Sequence, residues 1–128
     1  MHNGIGELFA QALARKDGKG MLDLLDPEVD FRGLTPNRFW EASSAKALVD
    51  IILGAWFEAH DHIDALEDVQ VGAVGDRDRV SYQVRVVNPD GVFLVEQQAY
   101  FGVDRDRINW LRIMCSGYRA VDEEPDQT

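Results

Sequence analysis

The sequence holds a single cysteine, Cys115, so no disulfide can form within the chain and stability must come from packing. It has no apolar run near the ~20 residues that a membrane span requires, and its N-terminus carries no apolar signal core. Basic residues are few: 13 Lys and Arg stand against 23 Asp and Glu, a net charge of −10, with no basic stripe suited to a nucleic-acid groove. These absences lead us to expect a soluble cytoplasmic protein with neither a membrane nor a nucleic-acid partner. No repeat or linker divides the 128 residues, so one domain is expected over 1–121, large enough to bury a core without staples. Residues 122–128 hold Asp122, Glu123, Glu124 and Asp126 around Pro125, and read as a disordered, acidic, solvating tail.

What is present is an order of patterns. Ile5, Leu8, Phe9, Ala12 and Leu13 recur at helical spacing up to a stop at Gly18. A second short helix from about Lys19 sets Met21, Leu22, Leu24 and Leu25 on its buried side, and Asp26-Pro27 ends it. Glu28 to Arg32 alternates like a strand. Gly33 to Glu41, with Phe39 and Trp40, reads as a loop folded back over apolar surface. A third helix is capped by Ser43 or Ser44 and carries the stripe Leu48, Ile51, Ile52, Ala55 and Trp56. After His60-Asp61-His62 the period becomes two. Val69, Val71 and Ala73 lead to a turn at Gly75–Asp78, Val80 to Val87 forms the next strand, and Asn88-Pro89-Asp90-Gly91 is a hairpin signal. Strands over 92–103 and 107–118 close a meander.

Helix, helix, strand, helix and four antiparallel strands, with Ala99-Tyr100-Phe101-Gly102-Val103 before a charged turn and Arg107-Ile108, resembles the nuclear transport factor 2-like superfamily, in particular its SnoaL-like branch. The resemblance covers nearly all of residues 5 to 119. It implies an α+β, cone-shaped fold: three helices from the N-terminal half packed in a curved, mostly antiparallel sheet. Members include ketosteroid isomerases, polyketide cyclases, epoxide hydrolases, dehydratases and non-catalytic binding modules, so the fold does not choose a function. For limonene-type epoxide hydrolases the resemblance implies an inward Arg and Asp on the third strand and an Asp on the last; here those positions are Val84, Val86 and Ile113. Their water-positioning Tyr and Asn fall at Phe31 and Gly33. The ketosteroid isomerase base falls at Arg32 or Gly33, with Asp30 on the opposite side from Val29 and Phe31, and the first helix offers an apolar face where the isomerases carry a Tyr.

Alternation assigns Val80, Tyr82, Val84 and Val86, the odd residues from Phe93 to Val103, and Asn109, Leu111, Ile113 and Cys115 to the concave face. The candidate ligand-binding set is Phe31, Trp40, Trp56, Tyr82, Val84, Gln97, Phe101, Leu111, Ile113 and Cys115: apolar walls with a few orienting polar groups. Gln97 reads equally as a ligand contact or as an amide satisfied by its neighbours. Cys115, with no nearby cation in sequence, reads as a small apolar residue. His60 and His62, two apart, are candidate proton acceptors at the cavity mouth, or simply solvated junction residues. No second ligand cluster accompanies them, so no metal is expected. Trp110 and Met114 fall on the outer sheet face, where they suggest a homodimer.

Two functions remain open at this point. One is a module binding a hydrophobic, polycyclic or aromatic small molecule. The other is a cyclase, isomerase or dehydratase acting on such a molecule, with His60 or His62 as base and Gln97 or Tyr82 at a developing oxyanion, a chemistry requiring no cofactor.

Overall fold

A computed structural model describes residues 4–121; the acidic tail anticipated over 122–128 lies outside them. Ile5, Phe9, Ala12 and Leu13 return to one side of α1 (Ile5–Ala14) and are buried there, while Leu8 is half exposed. The helix ends as Lys16 turns left-handed at φ 53°. α2 (Gly18–Leu24) begins on Asp17, whose carboxylate accepts the Gly20 N–H at 2.9 Å. It is about two turns long, too short for the buried side drawn from sequence. Met21 is its buried residue, Leu22 is exposed, and Leu25 already belongs to the next strand.

β1 (Leu25–Thr35) passes through Pro27, which lacks an N–H; there the register with its parallel neighbour β6 shifts, between Leu25 and Asp30. The expected loop after Arg32 is instead a hairpin. Pro36 and Asn37 form its turn, Asn37 at φ 67°, and β2 (Arg38–Ala42) pairs back from Thr35↔Arg38 to Phe31↔Ala42. The turn residues mark the bend, and beyond it Phe39 and Trp40 alternate across the sheet, Phe39 exposed and Trp40 partly buried.

Ser44 caps α3 (Ala45–Asp50) by accepting the Ala47 N–H at 3.1 Å. The helix then widens into a π segment over Ile51–Trp56, where the Phe57 N–H bonds the Ile52 carbonyl five residues back (2.9 Å). Steps of four overshoot a full turn in an α-helix and fall short of one in a π turn. The combination therefore keeps Leu48, Ile52 and Trp56 aligned and buried, while Ala55, expected in the stripe, is exposed.

β3 (His62–Val74), β4 (Arg77–Asn88), β5 (Gly91–Asp104) and β6 (Arg107–Cys115) follow as a meander, and a short β7 (Arg119–Ala120) pairs with β5. Among the described residues the strands form one seven-stranded sheet in the order β2-β1-β6-β5-β4-β3, parallel only between β1 and β6. It is curved and unclosed, and the helices pack against it, α1 on β3 and β4, α3 on β1. The β5–β6 turn uses Arg105 and Asp106, both left-handed (φ 55° and 65°), the geometry that matches strand twist in a two-residue hairpin.

Alternation then fixes the core. Val80, Tyr82, Val84 and Val86 on β4 and Val95, Gln97, Ala99 and Phe101 on β5 are buried. On β6 one correction arises: a bulge between Gly102 and Val103 in the pairing with β5 makes Ile108 the inward residue and leaves Asn109 exposed. Beyond the bulge Leu111, Ile113 and Cys115 face inward as expected.

Candidate functional site

The candidate residues separate into two groups. In the middle of the sheet, Tyr82, Gln97 and Cys115 lie in one register row across β4, β5 and β6. The Tyr82 hydroxyl donates to Gln97 Oε1 at 2.6 Å, and Gln97 Nε2 donates to Cys115 Sγ at 3.4 Å. Gln97 is fully buried, whereas Glu96 is half exposed beside Arg119. Burial, then the nearby Cys115 thiol, pushes the Tyr82 hydroxyl far above its ordinary range, so it stays a neutral donor. Val84, Phe101, Leu111 and Ile113 belong to the same buried core, Phe101 and Leu111 paired four residues along from this row, with Gly6 of α1 against Phe101.

The second group sits where the π segment crosses β1 and β2. Trp56 ends the π segment and packs against Phe31 (ring centroids 6.0 Å apart) and edge-on against Trp40 (6.1 Å). Gly33 makes this possible: a Cβ there would stand 2.9 Å from the Trp56 ring, so the indole lies directly on bare backbone. Trp40 donates its N–H to Thr35 Oγ1 at 2.8 Å, and the Arg38 guanidinium covers its ring at 3.7 Å. Trp56 is only 7% exposed, yet its indole N–H has no hydrogen-bond acceptor among the described residues. A buried donor left this way costs about 1–3 kcal/mol. A surface cleft of about 370 Å³ shares Phe31 with this group but neither tryptophan; its other lining residues are Asp30, Arg32, Glu41, Ala42 and Ser43.

His60 and His62 both point away from this interior. His60 is in the turn after the π segment and His62 opens β3 opposite Val87, each exposed to solvent. Between them Asp61, which the sequence pairs with the two histidines as a candidate proton-transfer partner, is buried instead. Its carboxylate accepts the Glu58 N–H (2.9 Å) and the Asn88 side-chain amide (2.8 Å), and His60 Nε2 lies 3.6 Å away. Burial alone would raise the Asp61 carboxyl, but the hydrogen bonds from Asn88 and Glu58, with the nearby Tyr118 hydroxyl and His60, outweigh it, and the net effect is below the ordinary value. Tyr118 donates to the Trp56 carbonyl (2.9 Å), and burial with the Asp61 charge holds its hydroxyl far above its usual range. Lys16 ties the loop down through the carbonyls of Glu58 and Asp61. These partners come from Lys16, Asn88 and Tyr118, far apart in sequence, so no local signal could have assembled them. Asp61 is therefore a fully engaged, ionised anchor of the helix-to-strand junction. Among the described residues no three His, Cys, Asp or Glu side chains are grouped to hold a metal ion, and no helix is long and apolar enough to cross a membrane.

No protein-family model and no curated protein matches this sequence. Solved structures do. A Catenulispora acidiphila protein with a ketosteroid isomerase-like fold superposes with a TM-score of 0.70 at 10% identity, over 91% of this chain and 88% of that one. The nuclear transport factor 2-like protein of unknown function from Mesorhizobium loti gives 0.63 at 20% identity over 88% of each chain. This chain has the nuclear transport factor 2-like fold. A polyketide cyclase candidate from Xanthomonas campestris pv. campestris shares it, with a TM-score of 0.68 at 20% identity over 88% of each chain. At these identities the likeness is one of architecture, and within the nuclear transport factor 2-like cone the chemistry has to be read from this chain's own side chains.

Proposed function

We propose that this protein binds a small, largely apolar molecule at the aromatic end of the cone, among Phe31, Trp40 and Trp56, and holds an acceptor atom of that molecule on the Trp56 N–H. The observation carrying this reading is the unpartnered, buried indole donor. Buried polar groups are normally satisfied, and those that are not call for an explanation. Its placement at the end of a π segment, a feature frequent at functional sites, supports the same reading. The Tyr82–Gln97–Cys115 row is a weaker candidate for ligand contact, because its bonds are already made inside the protein. Binding without catalysis is favoured by the buried valines and isoleucine at positions 84, 86 and 113, and by histidines that face solvent. The exposed Met114, Leu34 and Phe39 on the outer sheet face favour a homodimer, and the single cysteine suits the cytoplasm.

Two matched probes test this: 1-tetralone, an aromatic ketone with an acceptor oxygen, and tetralin, the same skeleton without it. Trp56→Phe should weaken tetralone binding about fivefold, the worth of one net hydrogen bond, and leave tetralin unchanged. Gly33→Ala, which displaces the indole, should have the same selectivity. Equal loss for both probes, or no loss for tetralone, overturns the donor role. Chromatography of the released ketone gives the remaining check: a converted product would replace binding with turnover.

A further inference from the structure

Arginines elsewhere in the sheet face carboxylates: Arg32, Arg85, Arg112 and Arg119 lie beside Glu41, Asp64, Asp30 and Glu96. Arg38 does not. Among the described residues its guanidinium has no hydrogen bond and no ion pair, and it rests on the ring of Trp40 at 3.7 Å. Residues 33 to 40 contain no Asp or Glu, and Glu41 points to the other face of β2, where it meets Arg32. Register decides which face Arg38 takes. Phe31, Gly33 and Thr35 alternate onto the side of β1 that meets Trp56, and their partners Ala42, Trp40 and Arg38 share that side. The base of the side chain is fixed by the hairpin. Thr35 accepts the Trp40 N–H and donates to the Arg38 carbonyl at 3.4 Å, and the Pro36 ring is seated on Gly117, where a Cβ would stand 2.7 Å away. Arg77 stacks in the same way on Trp110, but on the outer face, away from Trp56.

Given the aromatic-end site proposed above, on which this rests, we propose that its ligand is an aromatic acid and that Arg38 is the residue selecting it, by taking the carboxylate at the rim. A guanidinium stacked on a ring uses its flat face and keeps its N–H edge free, and that edge matches a carboxylate with two parallel hydrogen bonds. Stacking on Trp40 also holds the side chain in place beforehand, so less rotamer freedom is lost when the anion arrives. The ring of the ligand then lies toward the indoles of Trp40 and Trp56, and a second acceptor on it meets the Trp56 N–H. In a chain of net charge −10 an anion is repelled from much of the surface, and a cation with no carboxylate of its own is where it can settle. Arg38 is exposed, so water screens the pair. Its role is to discriminate between ligands of one shape, with the aromatic walls supplying the larger part of the affinity.

Calorimetric titration of the whole chain with 1-tetralone-6-carboxylate and its methyl ester tests this, because the two share ring and ketone and differ in charge. At neutral pH the wild type should bind the acid about fivefold more tightly than the ester, the upper end for an exposed ion pair, and added salt should narrow the gap. Arg38→Met, which keeps a long apolar stem over Trp40, should abolish the preference by weakening the acid alone. Arg38→Lys should keep part of it, having the charge without the planar fork. Equal binding of acid and ester by the wild type, or equal loss of both in Arg38→Met, overturns the role of Arg38. Trp56→Phe separates this from the donor reading, since both probes carry the ketone and should weaken alike. Loss of both in Trp56→Phe with no acid preference leaves the donor and removes the carboxylate contact. A preference that Arg38→Met abolishes and Trp56→Phe leaves untouched does the reverse. If the wild type binds neither probe, both readings fall.

Discussion

The middle of the cone and its aromatic end are buried to a similar degree but treat their polar atoms differently. In the middle, the Tyr82 hydroxyl and the Gln97 amide are closed into a chain ending on Cys115. At the aromatic end, Trp56 is held by Phe31, Gly33 and Trp40, and its N–H is left open. Burial of a polar residue does not by itself mark a binding site. What separates scaffold from site is whether the buried group already has its partner.

The contrast can be broken most strongly at Gln97. Gln97→Leu strands the buried Tyr82 hydroxyl and should cost roughly 2–3 kcal/mol in urea unfolding, while Tyr82→Phe added to it should restore more than half of that loss. If the double variant is no better than the single one, the row is not the closed network described. A smaller effect is expected at Asp61→Asn, about 1–3 kcal/mol at neutral pH, with a pH signature. Because the Asp61 carboxyl is held below its ordinary value, its contribution is complete above about pH 4 and is lost as pH falls through the lowered folded value. The stability gap between wild type and variant should therefore close toward pH 3, and a gap independent of pH would mean the carboxylate is not what anchors the junction. Smallest is His62→Ala, at an exposed strand end, which should change stability by less than about 0.5 kcal/mol by the same measurement.

Much of the architecture was legible because period and punctuation are local. The helix and strand patterns, the Asn88–Gly91 hairpin and the inward row from Phe93 to Val103 follow from residues close together in the chain. Misreadings came where a local rule met a long-range constraint. A strand formed over 38–42 because β1 was there to pair with it, and Asn109 turned outward because one bulge shifted the β5–β6 pairing. The candidate site was legible in composition more than in geometry. Phe31, Trp40 and Trp56 were all named from sequence, but their meeting depends on a π turn and on a bare Gly33. Gln97 was correctly placed inside, and only the distances to Tyr82 and Cys115 show that it is already partnered.

The three tryptophans are divided between the two faces of the sheet. Trp40 and Trp56 stand edge to face at 79° inside the cone, close enough for their electronic transitions to couple, whereas Trp110 lies outside, flanked by Arg77 and Arg112. The protein thus carries its own pair of optical reporters. A molecule entering the cone should perturb the near-ultraviolet dichroism of the coupled indoles, and an event on the outer face should change the emission of Trp110, so each can be followed without a label.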